Sequence, residues 1–401
     1  MTEARLPLDG IRVIEMGSLL AGPFCGQLLA DFGAEVIKVE PPGSGDPMRV
    51  WGRHRKNGRS LWWPVIGRNK KSITLNLREP EGQELARRLI NTADVLVENF
   101  RPGTMERWGL GYEELRASNP GLVMVRVSGF GQTGPYSERA GFGAIGEAMG
   151  GIRHVTGYPD LPPPRVGISL GDSLAATFGA LGALVALHHR NAHGGRGQVV
   201  DIGIYEAVLA FMESTIPEYA LTGYVRGRTG SILPGVAPSN IYPTRDGTYM
   251  LIAGNIDTVF RRLAAAIGHP EWADDPRFAT HQARGEHMEE LDRAITDWTR
   301  EHDIEEALHV MAEAGVPAGK VYTAKDMLSD TQYAARENIV IAHDPEIGEI
   351  PMQNVVPRLT ETPGAVRWPG PALGQHNAEV YGTLLGLSSD EQARLRERGV
   401  I

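Results

Sequence analysis

Between Ile11 and Gly131 the chain alternates short apolar strands with helices, and this order allows few folds. "GIRVIEM" predicts a buried strand, "AGPFCGQLLADFG" a helix, and "AEVIKVE" a second strand. Pro23 suits the first turn of that helix, and Gly33 suits its carboxyl end. Strand, helix and strand in this order predict a parallel pair joined by a right-handed crossover.

The same alternation continues further along the chain. "KSITLNL", "DVLVENF" and "GLVMVRVSGFG" predict three more strands, with helices over Glu81–Thr92 and from about Gly103 to Trp108. The first part is therefore predicted to be a large, Rossmann-like α/β domain with a doubly wound parallel sheet.

The later part of the chain predicts a smaller, inserted α+β domain. Residues from about Tyr224 to Tyr242 are irregular and indicate a linker. A strand at "GTYMLIAGN" and helical patterns follow over Ile256–Ile267, Met288–Arg300 and Ile304–Ala314. The short strands expected after Asn338 are predicted to rejoin the first domain.

Composition narrows the class of protein. The chain has 401 residues, 42% of them hydrophobic and 22% charged, which is typical of a soluble globular protein of two domains. A net charge of −9 argues against a nucleic-acid partner. With one cysteine, no signal-peptide pattern and an apolar stretch at Ala175–Leu187 judged too short to span a bilayer, we expect a cytoplasmic protein without a membrane partner.

Several common catalytic motifs are missing from the sequence. "EMGSLLAGPFCG" follows the first strand but matches neither the nicotinamide fingerprint G-x-G-x-x-G nor a P-loop. The histidines form no H-E-x-x-H, and a single cysteine cannot build a thiolate metal site. A lipase-like G-x-S-x-G is absent as well. The sequence therefore predicts no metal site and no nicotinamide cofactor.

Asp172 is the main candidate for a catalytic group. It follows Gly171 where a long helix, "GDSLAATFGALGALVALHHRN", is expected to open. Asp is a favoured N-cap residue, so it could serve the helix alone. It could also be a carboxylate nucleophile, kept ionised by the positive end of the helix dipole. Taken by itself, this position leaves both interpretations open.

This "GD" segment and several other blocks resemble the class III CoA-transferases of the CaiB/BaiF type. The similar blocks include "LDGIRVIEMGSLLAGPFCGQLLADFGAEVIKVEPPGSGDPMR", "DVLVENFRPGTMERWGLGYEEL", "SGFGQTGPYSERAGFGAIGEAMGG" and "GPALGQHNAEVYGTLLGLS". They run in order from about Leu8 to the C-terminus. The resemblance implies a CoA-transferase that uses coenzyme A as co-substrate.

What the resemblance implies can be stated residue by residue. Asp172 corresponds to the catalytic aspartate, which passes through an aspartyl-CoA thioester. The positions implied to surround coenzyme A are Leu19, Leu20, Ala21, Leu75, Leu77, Arg78, Asn99, Phe100, Arg107 and Phe142. The implied fold has a large domain formed by residues 1–224 and 326–401, a small domain formed by residues 225–325, and two chains interlocked as a homodimer.

Electrostatics agrees with this placement. Coenzyme A carries about four negative charges on its phosphates, which require charge-assisted donors. Residues 1–110 contain more basic than acidic side chains, although the whole chain is acidic, and Arg49 to Lys71 is a basic run without an acidic residue. We expect the phosphates to bind to this part of the chain.

Alternatives concern the substrate and the reaction. An α-methylacyl-CoA racemase of the same fold needs a histidine where this chain has Phe142, which cannot carry a proton. An inactive acyl-CoA-binding protein is a third possibility. Pro41 and the lack of a glycine-rich lid argue against oxalate as a substrate. The sequence looks closer to succinyl-CoA-dependent enzymes for C4–C6 dicarboxylates, whose second carboxylate would bind an arginine: Arg165, Arg49 or Arg228.

Overall fold

The computed structural model describes residues 5–401. In that part of the chain the strands are β1 (Arg12–Glu15), β2 (Glu35–Glu40), β3 (Arg55–Lys56), β4 (Arg59–Ser60), β5 (Lys70–Thr74), β6 (Val95–Glu98), β7 (Val123–Ser128), β8 (Val199–Gly203), β9 (Ser239–Pro243), β10 (Tyr249–Ala253), β11 (Ala318–Lys320), β12 (Ile339–Asp344) and β13 (Gly348–Gln353). The helices are α1 (Ala21–Asp31), α2 (Trp63–Ile66), α3 (Pro80–Ile90), α4 (Thr104–Arg107), α5 (Tyr112–Ser118), α6 (Gly143–Met149), α7 (Ile152–Val155), α8 (Leu170–Ala192), α9 (Ile204–Leu209), α10 (Thr215–Thr222), α11 (Asp257–Ala266), α12 (His281–Glu286), α13 (Met288–Arg300), α14 (Ile304–Glu313), α15 (Ala324–Ser329), α16 (Thr331–Ala335) and α17 (Ser389–Glu397). Pro47–Arg49 and Pro270–Ala273 form short 3₁₀ helices, and Ala378–Leu384 forms a π-helix.

The larger of two structural units contains both chain ends, as predicted. It runs to Ile152 and resumes at Arg165–Pro217 and Ala334–Ile401. The second unit consists of Arg153–Pro164 and Glu218–Tyr333. The domain limits expected from the sequence, 225–325 for the smaller domain, stay a prediction. The segment Arg153–Pro164 carries no pattern that would have assigned it to that domain.

Six parallel strands form the sheet of the larger unit, in the order β5-β2-β1-β6-β7-β8. Val13 in β1 pairs with Val36 on one side and with Val95 on the other. From β1 the chain winds first toward β5 and later toward β8, so the direction changes between β1 and β6. In open parallel sheets this switch point, at the carboxyl ends of the strands, is where ligands bind.

Helices α1 and α8 pack side by side against one face of this sheet. Both run antiparallel to the strands, because α1 leaves the carboxyl end of β1 and α8 returns to the amino end of β8. A Cβ on Gly179 would lie 3.2 Å from Sγ of Cys25, so the small residue permits close contact. The two helix N-termini therefore lie at the carboxyl edge of the sheet.

Helix α8 differs from its sequence expectation in length. It spans 23 residues with a mean hydropathy of 1.6, enough by length and composition alone to cross a bilayer. In the structure Ala175, Ala176 and Ala183 are buried against the sheet, as in the core helix of a soluble protein. The helix also begins two residues before Asp172, so the expected start was wrong.

The second unit has its own core. Strands β11, β10 and β9 form an antiparallel sheet, and α11, α13 and α14 supply buried side chains such as Leu263, Ile295 and Met311. The helices expected from the apolar periodicity are present within one residue at each end, because each carries one strongly apolar face. This unit is an α+β arrangement, as predicted.

Candidate active site

A cavity of about 950 Å³ opens at the carboxyl edge of the parallel sheet, beside the switch point. Its walls come from the loops after β1, β2, β5 and β6, which meet there because the strands are parallel. Its lining residues are Met16, Gly17, Ser18, Lys38, Val39, Glu40, Pro41, Pro42, Gly43, Ser44, Gly45, Asp46, Pro47, Leu75, Asn76, Leu77, Arg78, Phe100, Thr104, Trp108 and Gly399. A cavity of this volume is in the range of cofactor sites.

Four of the residues expected around coenzyme A line this cavity: Leu75, Leu77, Arg78 and Phe100. Leu75 is buried, and Leu77 and Phe100 pack against the same hydrophobic core. The Phe100 ring lies edge-on to Trp108, with ring centroids 5.1 Å apart. The Arg78 side chain is exposed, and within residues 5–401 its guanidinium has no protein partner. The cavity thus offers apolar walls and an unpaired guanidinium to a phosphorylated ligand.

Asn99 acts on the loop between β1 and α1 instead of lining the cavity. Its Oδ1 accepts a hydrogen bond from Ser18 N at 2.8 Å, and its Nδ2 donates to Ser18 O at 2.9 Å. In that loop Leu19 has a φ of 63°, in the left-handed region that a leucine rarely adopts. Leu20 and Ala21 are buried where α1 begins. Leu19, Leu20 and Ala21 directly follow Ser18, which lines the cavity, and their contact with coenzyme A stays a prediction.

Two further expected contacts lie at the edges of the site. Arg107 is exposed, and its Nη2 donates to Thr104 Oγ1 at 2.9 Å, which places it beside a residue of the cavity wall. Phe142 is 68% exposed and caps the start of α6. Neither side chain lines the cavity, and their contact with coenzyme A stays a prediction.

The basic run from Arg49 to Lys71 lies outside the cavity wall, so its contact with the phosphates stays a prediction. Within the described chain none of its members lines the cavity. Arg68 pairs with Asp31 at 2.6 Å, and Lys70 pairs with Glu15 at 2.7 Å. Arg68 and Lys70 are therefore buried as partners of buried carboxylates, whereas Arg53, Arg55 and Lys56 of the same run are exposed.

Arg49 was one of three arginines considered for a substrate carboxylate, and in the structure its side chain is engaged within the protein. Its Nε and Nη2 donate to the two oxygens of Glu40 at 2.6 and 2.8 Å. Its Nη1 donates to Pro371 O at 3.0 Å, and its guanidinium lies 3.8 Å from the centroid of the Trp63 ring. Four of the five N–H donors of the guanidinium thus have protein acceptors, including Ser72 Oγ at 3.3 Å from Nη2.

Asp172 lies in the first turn of α8, where Ser169 is the N-cap residue. The N-cap interpretation of Asp172 is therefore wrong. Its carboxylate is half-buried and faces Gly143, the first residue of α6. A Cβ at position 143 would lie 2.3 Å from Oδ2 of Asp172. No pattern in the sequence indicates this contact.

Asp172 lies at the amino-terminal end of α8, at the carboxyl edge of the sheet, where the loop between β1 and α1 also lies. Gly179 of α8 meets Cys25 of α1, and both helices run in the same direction. Seven residues of α-helix rise about 10 Å, so Asp172 lies about 10 Å from that contact along α8, toward the carboxyl edge of the sheet. Since Ser18 lines the cavity, the carboxylate and the cavity share one edge of the sheet.

The pKa of Asp172 is raised from 3.8 to about 6. Burial is the main cause and the neighbouring Glu147 adds to it, while Arg165 acts in the opposite direction. Glu147 is buried on α6 and accepts a hydrogen bond from Gly171 N at 3.1 Å. The carboxyl is therefore less acidic than an ordinary aspartate, but it is still mostly ionised at neutral pH, as a nucleophile requires.

Of the remaining arginine candidates, one lies near this carboxylate. Arg165 is in the larger unit, is exposed, and donates to the carbonyls of Val166 and Ile168 at 3.2 and 3.1 Å. Arg228 belongs to the second unit and donates to Tyr158 O at 3.1 Å. The structure brings Arg165 into electrostatic range of Asp172.

Comparison with known proteins agrees with this site. The model of the family described as CoA-transferase family III matches residues 8–377. Succinyl-CoA–D-citramalate CoA-transferase of Chloroflexus aurantiacus is 68% identical over 395 residues, covering 98% of each chain. The alpha subunit of succinyl-CoA–L-malate CoA-transferase of the same organism is 42% identical, covering 100% of this chain and 94% of that one.

A solved structure supports the fold independently. A CaiB/BaiF family protein from Brucella suis superposes with a TM-score of 0.86 at 35% identity, covering 95% of this chain and all of that one. The similarity extends over both units, so the architecture described above is that of the family.

Proposed function

The chain belongs to CoA-transferase family III, and on this premise we propose that it moves coenzyme A from succinyl-CoA to a C4–C6 dicarboxylate through Asp172. The observation that carries the proposal is the position of this carboxylate. It is half-buried, it is ionisable at neutral pH, and it lies at the sheet edge that also holds the cavity. Relatives named for citramalate, malate and glutarate support the choice of dicarboxylates.

The first half of the reaction loads coenzyme A onto the protein. The Asp172 carboxylate attacks the thioester carbonyl of the donor, the C–S bond breaks, and a mixed anhydride and the CoA thiolate form. The thiolate then attacks the Asp172 carbonyl of the anhydride and releases the donor as its carboxylate. The product is an aspartyl-CoA thioester, formed without net consumption of a proton.

The second half repeats these steps in reverse with the acceptor. The acceptor carboxylate attacks the aspartyl-CoA carbonyl and expels the thiolate, which gives a second mixed anhydride. Attack of the thiolate on the acceptor carbonyl forms the new thioester and returns Asp172 as a carboxylate. Burial of Asp172 favours this chemistry in two ways. Electrostatic interactions with the reacting groups are stronger where water is excluded, and the anhydride is protected from hydrolysis.

Arg165 is our candidate for recognition of a substrate carboxylate. It is exposed, and its charge acts on Asp172, so an anionic group bound there would lie near the reacting centre. Arg49 is the weaker candidate because its guanidinium is paired with Glu40. A planar guanidinium offers a bidentate fork that matches a carboxylate.

The resemblance implies a homodimer, the composition favours the cytoplasm, and the surface of the larger unit supports a dimer. On the outer face of α8, Leu181, Leu184 and Val185 are 54%, 40% and 59% exposed. Phe211, two residues after the end of α9, is 57% exposed. An apolar helix face of this kind is normally covered by a partner. We propose that the partner is a second copy of the chain.

A panel assay tests the proposed function. Purified protein is given succinyl-CoA with citramalate, malate, glutarate and acetate, and the new CoA thioesters are separated and quantified. We expect transfer to at least one of the dicarboxylates and little to acetate. Transfer to no member of the panel would refute the substrate proposal, and isomerisation of a 2-methylacyl-CoA would instead favour the racemase alternative.

A further inference from the structure

Six charged side chains form a buried cluster that contacts the loop from Gly17 to Leu20. The cluster contains three carboxylates and three cations, so its formal charges balance. Its members are Glu15, Glu40, Asp46, Lys38, Lys70 and Arg49. All but Arg49 are at most 2% exposed. None of the reaction steps above uses this cluster.

Lys38 is at the centre of the cluster. Its Nζ lies 3.0 Å from Oε1 of Glu15 and 2.8 Å from Oδ2 of Asp46. It also donates a hydrogen bond to Gly17 O. Burial alone would lower the pKa of Lys38, but Glu15 and Asp46 raise it above its ordinary value, so the ammonium stays charged.

Asp46 connects the same ion pair to the other end of the loop. Its Oδ1 accepts hydrogen bonds from Leu19 N at 3.2 Å and from Met48 N at 2.9 Å. Lys38 therefore fixes the carbonyl of Gly17, and Asp46 fixes the amide of Leu19. Between these two contacts Asn99 fixes Ser18, so every residue from 17 to 19 has its backbone held by a side chain.

Two unfavourable contributions to the free energy of folding indicate that the main role of this cluster is not to stabilise the fold. Burying ion pairs is expensive, and well-packed apolar residues often serve the fold as well or better. Leu19 also stays at a φ of 63°, a left-handed conformation that is unfavourable for a non-glycine residue. A conformation that is unfavourable locally and held by its surroundings is typical of functional sites.

We propose that Lys38 and Asp46 are positioning residues for CoA transfer, which hold Gly17 and Leu19 so that the first turn of α1 faces the reaction at Asp172. This turn begins at Ala21, directly after the held loop, and its free N–H groups point toward the sheet edge where Asp172 lies. The proposal rests on the transferase function, because turnover is its main readout.

The test uses Asp46→Ala, Leu19→Gly and the double variant. Glycine adopts the left-handed conformation without help, so it relieves the need for Asp46. We expect D46A to lower kcat about tenfold or more, with KM for succinyl-CoA changed less than about threefold. In the L19G background the same D46A change is expected to cost less than about threefold in kcat. Costs of D46A that are equal in both backgrounds, or a loss confined to KM, would overturn the proposal.

A control variant and a second test variant distinguish a loss of catalysis from a loss of folding. Asp31 is equally buried and ion-paired, but at the opposite end of α1, so D31A should lower stability without lowering kcat of the folded fraction. If D46A does not fold, K38M/D46L removes one charge of each sign and leaves Glu15–Lys70 and Glu40–Arg49 paired. This variant is expected to show the same loss of kcat; unchanged kcat would contradict the proposal.

Hydrogen exchange of backbone amides tests the loop-holding role of Asp46 independently of CoA transfer. The amides of residues 18–20 are expected to exchange faster in D46A than in the wild type, with no such change in D31A. Faster exchange in a protein that transfers no CoA would refute the function and retain the loop-holding role. Unchanged exchange would refute the loop-holding role whatever the activity.

Discussion

The carboxylate of Asp172 packs against the backbone of Gly143, with no room for a side chain between them. A Cβ at position 143 would lie 2.3 Å from Oδ2, closer than real Cβ contacts. The glycine begins α6 and takes ordinary backbone angles, so the fold does not need a glycine there for conformational reasons. Its lack of a side chain is what leaves space for the nucleophile.

We therefore expect Gly143→Ala to displace the Asp172 side chain and lower kcat by about tenfold or more, while the melting temperature changes little. The same substitution at Gly319, where an added Cβ would meet no atom within 4 Å, should leave kcat unchanged. Steady-state kinetics and thermal unfolding of both variants check the prediction. Wild-type kcat in G143A would show that Asp172 moves freely.

The raised pKa of Asp172 predicts how activity depends on pH. Since only the carboxylate attacks, kcat/KM should fall as pH drops through about 6. Glu147→Gln removes a neighbouring negative charge, so the pKa of Asp172 and this acidic limb should move to lower pH. Glu138→Gln, which removes an exposed charge of the same unit, is the control. An acidic limb that stays in place in E147Q would contradict the assignment.

The same pKa has a consequence for stability. Because the folded protein binds this proton more tightly than the unfolded chain, its free energy of unfolding should fall as pH rises from about 4 to about 6. Asp172→Asn removes this penalty. We expect D172N to be inactive yet more stable than the wild type at about pH 8, and equally stable near pH 4. Urea unfolding at both pH values measures the difference, and equal stability at the higher pH would refute it.

Arg78 is an exposed cation on the cavity wall, which predicts a role in binding rather than in chemistry. Arg78→Ala should raise KM for succinyl-CoA about tenfold with kcat nearly unchanged, because it removes a contact that is equal in ground and transition states. Arg116→Ala, which removes an exposed arginine paired with Glu113, is the control. An unaffected KM in R78A would place the phosphates elsewhere.

The apolar outer face of α8 predicts an effect on assembly. Val185→Asp should weaken the homodimer, because it places a charge in a surface that a partner would bury. Val185→Thr, of similar size, is the control. Analytical ultracentrifugation distinguishes the species; a wild-type monomer, or a V185D dimer of unchanged affinity, would contradict the proposed interface.

Much of the fold could be predicted from the sequence. The apolar strands around Val13 and Val36 and the amphipathic helices α11, α13 and α14 each carry their own periodicity. Leu75, Leu77, Arg78 and Phe100 reach one cavity because parallel strands end at one edge.

Other features depend on contacts that no local pattern contains. The start of α8 at Leu170 had no local signal, and Arg49, Arg68 and Lys70 of the basic run are structural because their partners Glu40, Asp31 and Glu15 lie on other elements. One signal was available: Lys38 lies in the middle of an apolar strand, where a buried lysine requires a partner.

The covalent role of Asp172 is tested most directly by trapping. The protein is incubated with succinyl-CoA without acceptor, treated with hydroxylamine, digested, and its peptides are examined by mass spectrometry. A hydroxamate on Asp172 that is absent from D172N is the predicted result. Turnover without modification of Asp172, or full activity in D172N, would contradict the mechanism.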